Sequence, residues 1–253
     1  MNHPLDFEIQ ENSAILRLNR PEVHNSVNEE MMAALEQRLD EIEADAGLRT
    51  IILTGAGSQT FCAGGDIRYF STLRSREACL EMSRRMQAIL QRLKYGKRVA
   101  IAAVNGQALG GGCEILTACH IRIAAAPAQF SFRQAPNGII TGWGGGKRLL
   151  RLVGKTRALR LFLAGERIDA AEALRIGLID QVVDAWELLP AALNLAKLIN
   201  RNPRPAVEAF LELAALSETG DWETLREFET QRFADLWMGE DFRAFVERYL
   251  DEK

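Results

Sequence analysis

Two short uncharged runs constrain this chain more than any other feature. They are Thr50 to Thr54 (TIILT) and Val99 to Val104 (VAIAAV). Each is strand length, apolar and rich in β-branched residues, as a buried strand requires. Each also runs into a glycine-punctuated segment: GAGSQTFCAGGD after the first, NGQALGGGCEILTAC after the second. Between them, Ser75 to Tyr95 places Leu80, Met86, Ile89, Leu90 and Leu93 at helical spacing.

The flanking sequence extends this alternation. Phe7–Gln10 and Ala14–Asn19 predict a hairpin around Glu11-Asn12-Ser13. Pro21 to Asn28 reads as a loop, with Asn28 capping a helix that buries Met31, Met32, Leu35, Leu39 and Ile42 and ends at Gly47. Strands are expected at Ile121–Ala124, Gln129–Phe132 and Ile179–Val183. Helices are expected over Lys147–Val153 and Ala170–Ile176. From Trp186 the pattern is helical, broken at Asn202-Pro203, Pro205 and Thr219-Gly220. Strands thus alternate with helices to about residue 185, then helices alone follow: an α/β core with a helical appendage. The expected division is 1–196 and 197–253. No internal repeat, linker or low-complexity stretch is evident.

The chain has 253 residues, 47 % apolar and 26 % charged, with net charge −3. That composition supports a real core and argues against a broad nucleic-acid surface, which needs a cationic excess. Cys62, Cys79, Cys113 and Cys119 form no C-x-x-C pair and no zinc spacing with His3, His24 and His120. They read as small buried hydrophobes of a reducing compartment. The start, MNHPLDFEIQ, shows no signal peptide, and no run of about 18 apolar residues exists. The expectation is a cytoplasmic protein without membrane or nucleic-acid partners and without a metal.

The glycine clusters do not form phosphate loops. Arg148 follows Gly146-Lys147 where Ser or Thr is needed, and Thr141 stands at the first loop glycine. Gly142-x-Gly144 lacks the third glycine of a dinucleotide fingerprint. There is no G-x-S-x-G elbow and no H-E-x-x-H.

What remains are two turns, Phe61 to Asp66 and Val104 to Glu114. Both can present backbone N–H groups without obstruction, and the second opens into a helix whose free N–H groups carry positive partial charge. Converging on one point, two such donors make an oxyanion hole, with Glu114 beside it. Tight turns with close backbone packing are the alternative for the turns, and a carboxylate complementing a helix N-terminus is the alternative for Glu114.

FCAGGDI paired with VNGQALGGGCEI resembles the crotonase superfamily, whose type member is enoyl-CoA hydratase. LNRPEVHNS (18–26), AQFSF (128–132), GIITGWGGGKRL (138–149), LAGERIDAAEALRIGLID (163–180) and EDFRAFVERYL (240–250) extend the resemblance along nearly the whole chain. It implies a spiral of ββα units, a C-terminal helical region that builds trimers or dimers of trimers, and a coenzyme A thioester as substrate rather than as a separate cofactor. By that resemblance Gly65 and Gly111 donate to the thioester oxygen and Glu114 activates water. Ala63, Gly64, Asp66 and Ile67 lie against the coenzyme, and Arg248 meets its phosphates.

One departure matters. The hydratases carry a second glutamate twenty positions after the first, where it handles the α-carbon proton. Here that position is Gln134, which cannot exchange a proton at ordinary pH. Arg133 beside it is a cation suited either to a substrate carboxylate or to a surface contact. His24 and His120 read as structural. Trp143 reads equally as a wall of the acyl pocket or as packing, and Lys147 and Arg148 as solvated charge or coenzyme contacts. The expected function is hydration of a 2-enoyl-CoA. Alternatives are decarboxylation of a malonyl-type CoA, since the GIITGWGGG turn resembles that of ethylmalonyl-CoA decarboxylase, double-bond isomerisation, and an inactive CoA- or RNA-binding relative.

Overall fold

The computed structural model describes residues 3–251. The chain divides into two compact units, Met1–Ala196 and Lys197–Lys253. The first unit begins with the hairpin β1 (Leu5–Gln10) and β2 (Ser13–Leu18), whose turn has Glu11 at φ 52°. Helix α1 (Glu29–Ala44) follows. The Asn28 side chain accepts from Met31 N, and the five apolar residues expected on one face are its buried residues. The helix stops at Ala44, capped by Asp45, short of Gly47.

Next come β3 (Thr50–Gly55), β4 (Thr60–Cys62), α2 (Ile67–Phe70) and α3 (Arg76–Tyr95). Ser75 caps α3, which buries Met86, Ile89, Leu90 and Leu93, while Leu80 is only half-buried. The order continues with β5 (Val99–Val104), β6 (Gln107–Leu109), α4 (Gly111–Leu116), β7 (Ile121–Ala125) and β8 (Gln129–Ser131). After the loop come α5 (Gly145–Val153), α6 (Lys155–Ala164), β9 (Ile168–Asp169), α7 (Ala170–Arg175), β10 (Gln181–Val183) and α8 (Leu188–Asn200).

The strands form two sheets. The larger has the order β1-β2-β3-β5-β7-β10, parallel throughout except for the β1–β2 hairpin. Every residue of β3 and β5 is buried, as their apolar sequences require. The smaller sheet, β4-β6-β8-β9, was not foreseen as a sheet. Its strands β4, β6 and β8 each follow a strand of the larger sheet and β9 follows α6, and this sheet carries both glycine turns. Helix α6 is likewise additional to the sequence reading.

The second unit continues from the end of α8 into α9 (Arg204–Leu216), α10 (Trp222–Trp237) and α11 (Glu240–Asp251). Pro205 breaks nothing: it lies in the first turn of α9, where a missing N–H costs little. The unforeseen break is at Met238-Gly239, between α10 and α11. Among the described residues, no helix is long and apolar enough to cross a membrane, and no three His, Cys, Asp or Glu residues could hold a metal ion.

Candidate active site

The turn after β4 is held by the loop ahead of α1. Val27 N donates to Gly64 O, Asp66 N donates to Val27 O, both at 2.8 Å, and Ala63 N donates to His24 O at 3.0 Å. This bridge uses the Gly64 carbonyl and the Asp66 N–H and leaves the Gly65 N–H out of it. The turn after β6 is fixed by Gly110 N on Ser131 O at 2.8 Å. Gly111 then opens α4, so its N–H has no intrahelical acceptor.

The two turns interlock. Gly64 (φ 94°) lies so close to the second turn that a Cβ on it would stand 2.8 Å from Gly111 N. A Cβ on Gly112 would strike the Cys62 carbonyl. Aromatic rings pack against the Cα atoms of both glycines: a Cβ on Gly65 would run into Phe70, and one on Gly111 into Trp143.

Glu114 sits on the first turn of α4 and is 2 % exposed. Its Oε2 accepts from Trp143 N at 2.8 Å and Gly145 N at 2.9 Å. Its Oε1 accepts from Gln134 Nε2 at 3.0 Å and Gly142 N at 3.3 Å. The GWGGG turn is therefore a backbone nest for this carboxylate rather than a cradle for phosphate. Gly145 has to be glycine, because a Cβ would collide with the Glu114 side chain. Burial raises the Glu114 pKa above its ordinary value, outweighing the opposing Gly145 and Trp143 N–H groups, the Gln134 amide and the Arg148 charge.

Gln134 is buried beside Glu114, at the position the sequence singled out. Only the NH₂ end of an amide can face a carboxylate, so Oε1 points away and has no hydrogen-bond partner. Trp143 is 3 % exposed, and its Nε1 donates to Met82 Sδ at 3.4 Å. The Gly142 carbonyl accepts from Ser83 Oγ at 2.6 Å and Gln87 Nε2 at 2.9 Å, which ties the loop to α3.

Arg148 corrects the reading of a solvated charge. Its Nη2 donates to Glu114 O at 3.0 Å and Trp143 O at 2.9 Å, and its Nε to Thr117 Oγ1 at 3.2 Å. It clamps α4 to the nest. A signal was present: a cation in the first turn of a helix faces an unfavourable dipole and needs partners. Lys147 is exposed, as expected of a solvated charge.

Of the residues expected at the coenzyme, Asp66 is committed elsewhere. It caps α2 through Arg68 N and Tyr69 N and pairs with Arg20 at 2.8 Å. Burial opposes its charge, but Arg20 and the two N–H groups more than offset that and hold its pKa low. Ala63 is half-buried, Gly64 is buried under the second turn and Ile67 is exposed. Arg248 lies exposed on α11, in the second unit. Arg133 is exposed and donates to Gly165 O at 3.1 Å.

The histidines are tied into the fold. His24 Nδ1 lies 3.2 Å from Thr60 Oγ1, and His120 Nδ1 accepts from Ala100 N at 3.0 Å. Cys62, Cys113 and Cys119 are buried; Cys79, by contrast, is exposed. Burial pushes the Cys62 and Cys119 thiols up to about 12 and raises Cys113 further, so none is a nucleophile at neutral pH.

This arrangement matches known proteins along its whole length. The family model described as enoyl-CoA hydratase/isomerase matches residues 8–253. The short-chain-enoyl-CoA hydratase of Clostridium acetobutylicum is 36 % identical over 95 % of this chain and 92 % of its own. The crotonyl-CoA hydratase of Syntrophomonas wolfei is 33 % identical, covering 98 % and 95 %. The crystal structure of an enoyl-CoA hydratase from Bacillus anthracis superposes with a TM-score of 0.94 at 30 % identity, over 99 % of this chain and 97 % of that one. With its interlocked glycine turns and nested glutamate, the chain belongs to the enoyl-CoA hydratase/isomerase family.

Proposed function

We propose that the protein adds water across the double bond of a 2-enoyl-CoA. The carrying observation is the interlock of the two turns, which packs Gly64 against the N–H of Gly111 at the start of the helix that carries the buried Glu114. In this reading the thioester oxygen takes both N–H groups. As water attacks the β-carbon, the charge gathering on that oxygen meets donors already in place, and removing one such donor typically costs about 10²–10³ in rate. Glu114 takes the proton from the water, and the burial that raises its pKa makes its carboxylate a stronger base than an exposed one. Ala63, Gly64 and Ile67 contribute to the coenzyme surface, with Arg248 as a phosphate contact. Asp66 serves that surface indirectly, by fixing the turn.

The test is the initial rate of crotonyl-CoA hydration, followed at the enoyl thioester absorbance. Wild-type turnover that collapses in Glu114→Gln supports the reading; no turnover by the folded wild type rejects it. Gly111→Pro deletes the N–H donor. A folded Gly111→Pro variant with full turnover would remove Gly111 from its role.

One observation favours a second reading. Gln134 exchanges no proton, and decarboxylation of a malonyl-type CoA forms the enolate by losing CO₂ without removing an α-proton. Release of CO₂ from methylmalonyl- or ethylmalonyl-CoA by an enzyme inert to crotonyl-CoA would establish it.

The second unit is proposed to assemble copies of the chain into trimers or dimers of trimers, in the cytoplasm. Its exposed aromatic residues support that assembly: Phe210 is 72 % exposed and Phe233 64 %.

A further inference from the structure

The two ends of the Gln134 amide are in unequal states. Nε2 donates to Glu114 Oε1, whereas Oε1 is buried without a hydrogen-bond partner. A buried acceptor with no protein partner is a place where another group can arrive or the side chain can turn. An amide has one donating and one accepting end. Facing a carboxylate it must donate; facing a protonated carboxyl group it can turn and accept. A second carboxylate at position 134 would repel the first when both are charged. Residue 134 is thus matched to a neighbour that alternates between charged and neutral.

The other titratable groups around the two turns are committed. The Cys62 and Cys113 thiols are held neutral by burial, and Cys113 Sγ donates to Ala108 O at 3.0 Å. Asp66 is locked by Arg20 and the α2 cap. The Tyr69 hydroxyl donates to Glu29 at 3.0 Å, and burial together with that bond raises its pKa to about 12. Arg148 carries a permanent charge.

Resting on the hydration reading, we propose that Glu114 is the only proton carrier of the site: it takes the proton of the attacking water and returns it to the α-carbon, while the Gln134 amide turns to follow its charge. The water oxygen forms its bond to the β-carbon as the C=C pair moves toward the thioester, giving an enolate whose oxygen is held by Gly65 and Gly111. The water proton passes to Glu114. The enolate then re-forms the thioester carbonyl, its carbon pair takes the proton from the Glu114 carboxyl group, and the carboxylate is restored. Hydrogen and hydroxyl arrive on one face of the double bond.

The test separates the two halves of the addition. Butyryl-CoA has α-hydrogens but no double bond, so their exchange into D₂O, read by NMR, reports proton transfer at the α-carbon alone. Wild-type enzyme is expected to exchange them, and Glu114→Gln to lose about 10²-fold or more in both exchange and crotonyl-CoA hydration. Gln134→Met is expected to keep exchange dependent on Glu114. It should also move the acid limb of the hydration pH profile upward, because a donor that favours the carboxylate is gone. Exchange that survives Glu114→Gln in an enzyme whose wild type hydrates crotonyl-CoA would overturn the single carrier and leave hydration standing. So would a wild type that hydrates but exchanges nothing, or hydration in D₂O that places the two groups on opposite faces. Glu114-dependent exchange in a wild type that hydrates nothing would instead sink the hydration reading, and with it the water half of the proposal. An unmoved acid limb in Gln134→Met would remove the amide's part in it.

Discussion

The two units bury their apolar residues differently. In Met1–Ala196 the apolar faces close on one another: β3 and β5 are buried along their whole length, and α1 hides five residues on one stripe. In Lys197–Lys253 the helices α9, α10 and α11 bury no described residue completely. Their aromatic side chains instead stack along the surface. Trp237 and Phe242 have ring centroids 4.2 Å apart, and Phe233, Phe245 and Tyr249 extend the row. Exposed apolar area of this kind marks an interaction surface. The contrast teaches that the first unit closes on its own core and holds Glu114 and the glycine turns, while the second leaves its aromatic residues exposed, as the proposed assembly requires.

The sharpest way to test that division is to disturb the first unit without replacing Glu114. Arg148→Met removes the clamp between α4 and the nest. It is expected to cost about 10²-fold in kcat/KM, with the far-ultraviolet spectrum unchanged, because small misplacements of a catalytic group have effects of that size. Arg148→Lys should recover only part, since one ammonium cannot reach all three acceptors.

A second expectation concerns pH. Burial, followed by the Lys94 charge, lowers His120 to about 4, against 6.5 when exposed. The unfolded chain therefore binds a proton that the folded chain refuses. Stability is unaffected above about pH 6.5 and falls as pH drops toward about 4, by roughly 2–3 kcal/mol. Urea titrations at pH 7.5 and 4.5 measure this, and His120→Gln should flatten the difference. Next, Gly112→Ala presses a methyl group on the Cys62 carbonyl and should lower stability by about 1–3 kcal/mol in the same titration.

The smallest effect on the single chain is expected in the second unit. Phe233→Ser with Trp237→Ser should change its unfolding free energy by less than about 0.5 kcal/mol. Sedimentation should nevertheless show the assembly falling to single chains. A large loss of single-chain stability with assembly intact would break the contrast, because these rings would then belong to an intramolecular core.

Much of this was legible in the sequence, and the reasons are local. Asn28 and Ser75 cap helices as their positions predict, and the buried stripe of α1 follows from its 3.6-residue period. The glycine turns and Glu114 stood out because their pairing resembles that of a known family; glycine logic alone left close-packed tight turns equally open. The smaller sheet was hidden because two or three residues, as in β4, β6 and β9, show no periodicity. Helix α6 was missed because it fully buries only Ala158 and Leu161. Arg148 escaped because two of its three acceptors are backbone carbonyls, one of them 34 positions away. The orientation of Gln134 follows from the partner it meets, which no spacing in the chain reports.

The interlocked glycines also bear on how such a scaffold can be re-engineered. A side chain added at Gly64 or Gly112 meets the backbone of the opposite turn, so neither turn can drift without the other. A library randomised across both would return few survivors, most of them unchanged. The loop from Arg133 to Trp143 is bound differently: Ala135 to Ile140 is exposed, and only its ends reach Glu114. Selection for a new acyl group or a new fate of the enolate would therefore find its freedom in that loop, with the oxyanion frame carried along unaltered.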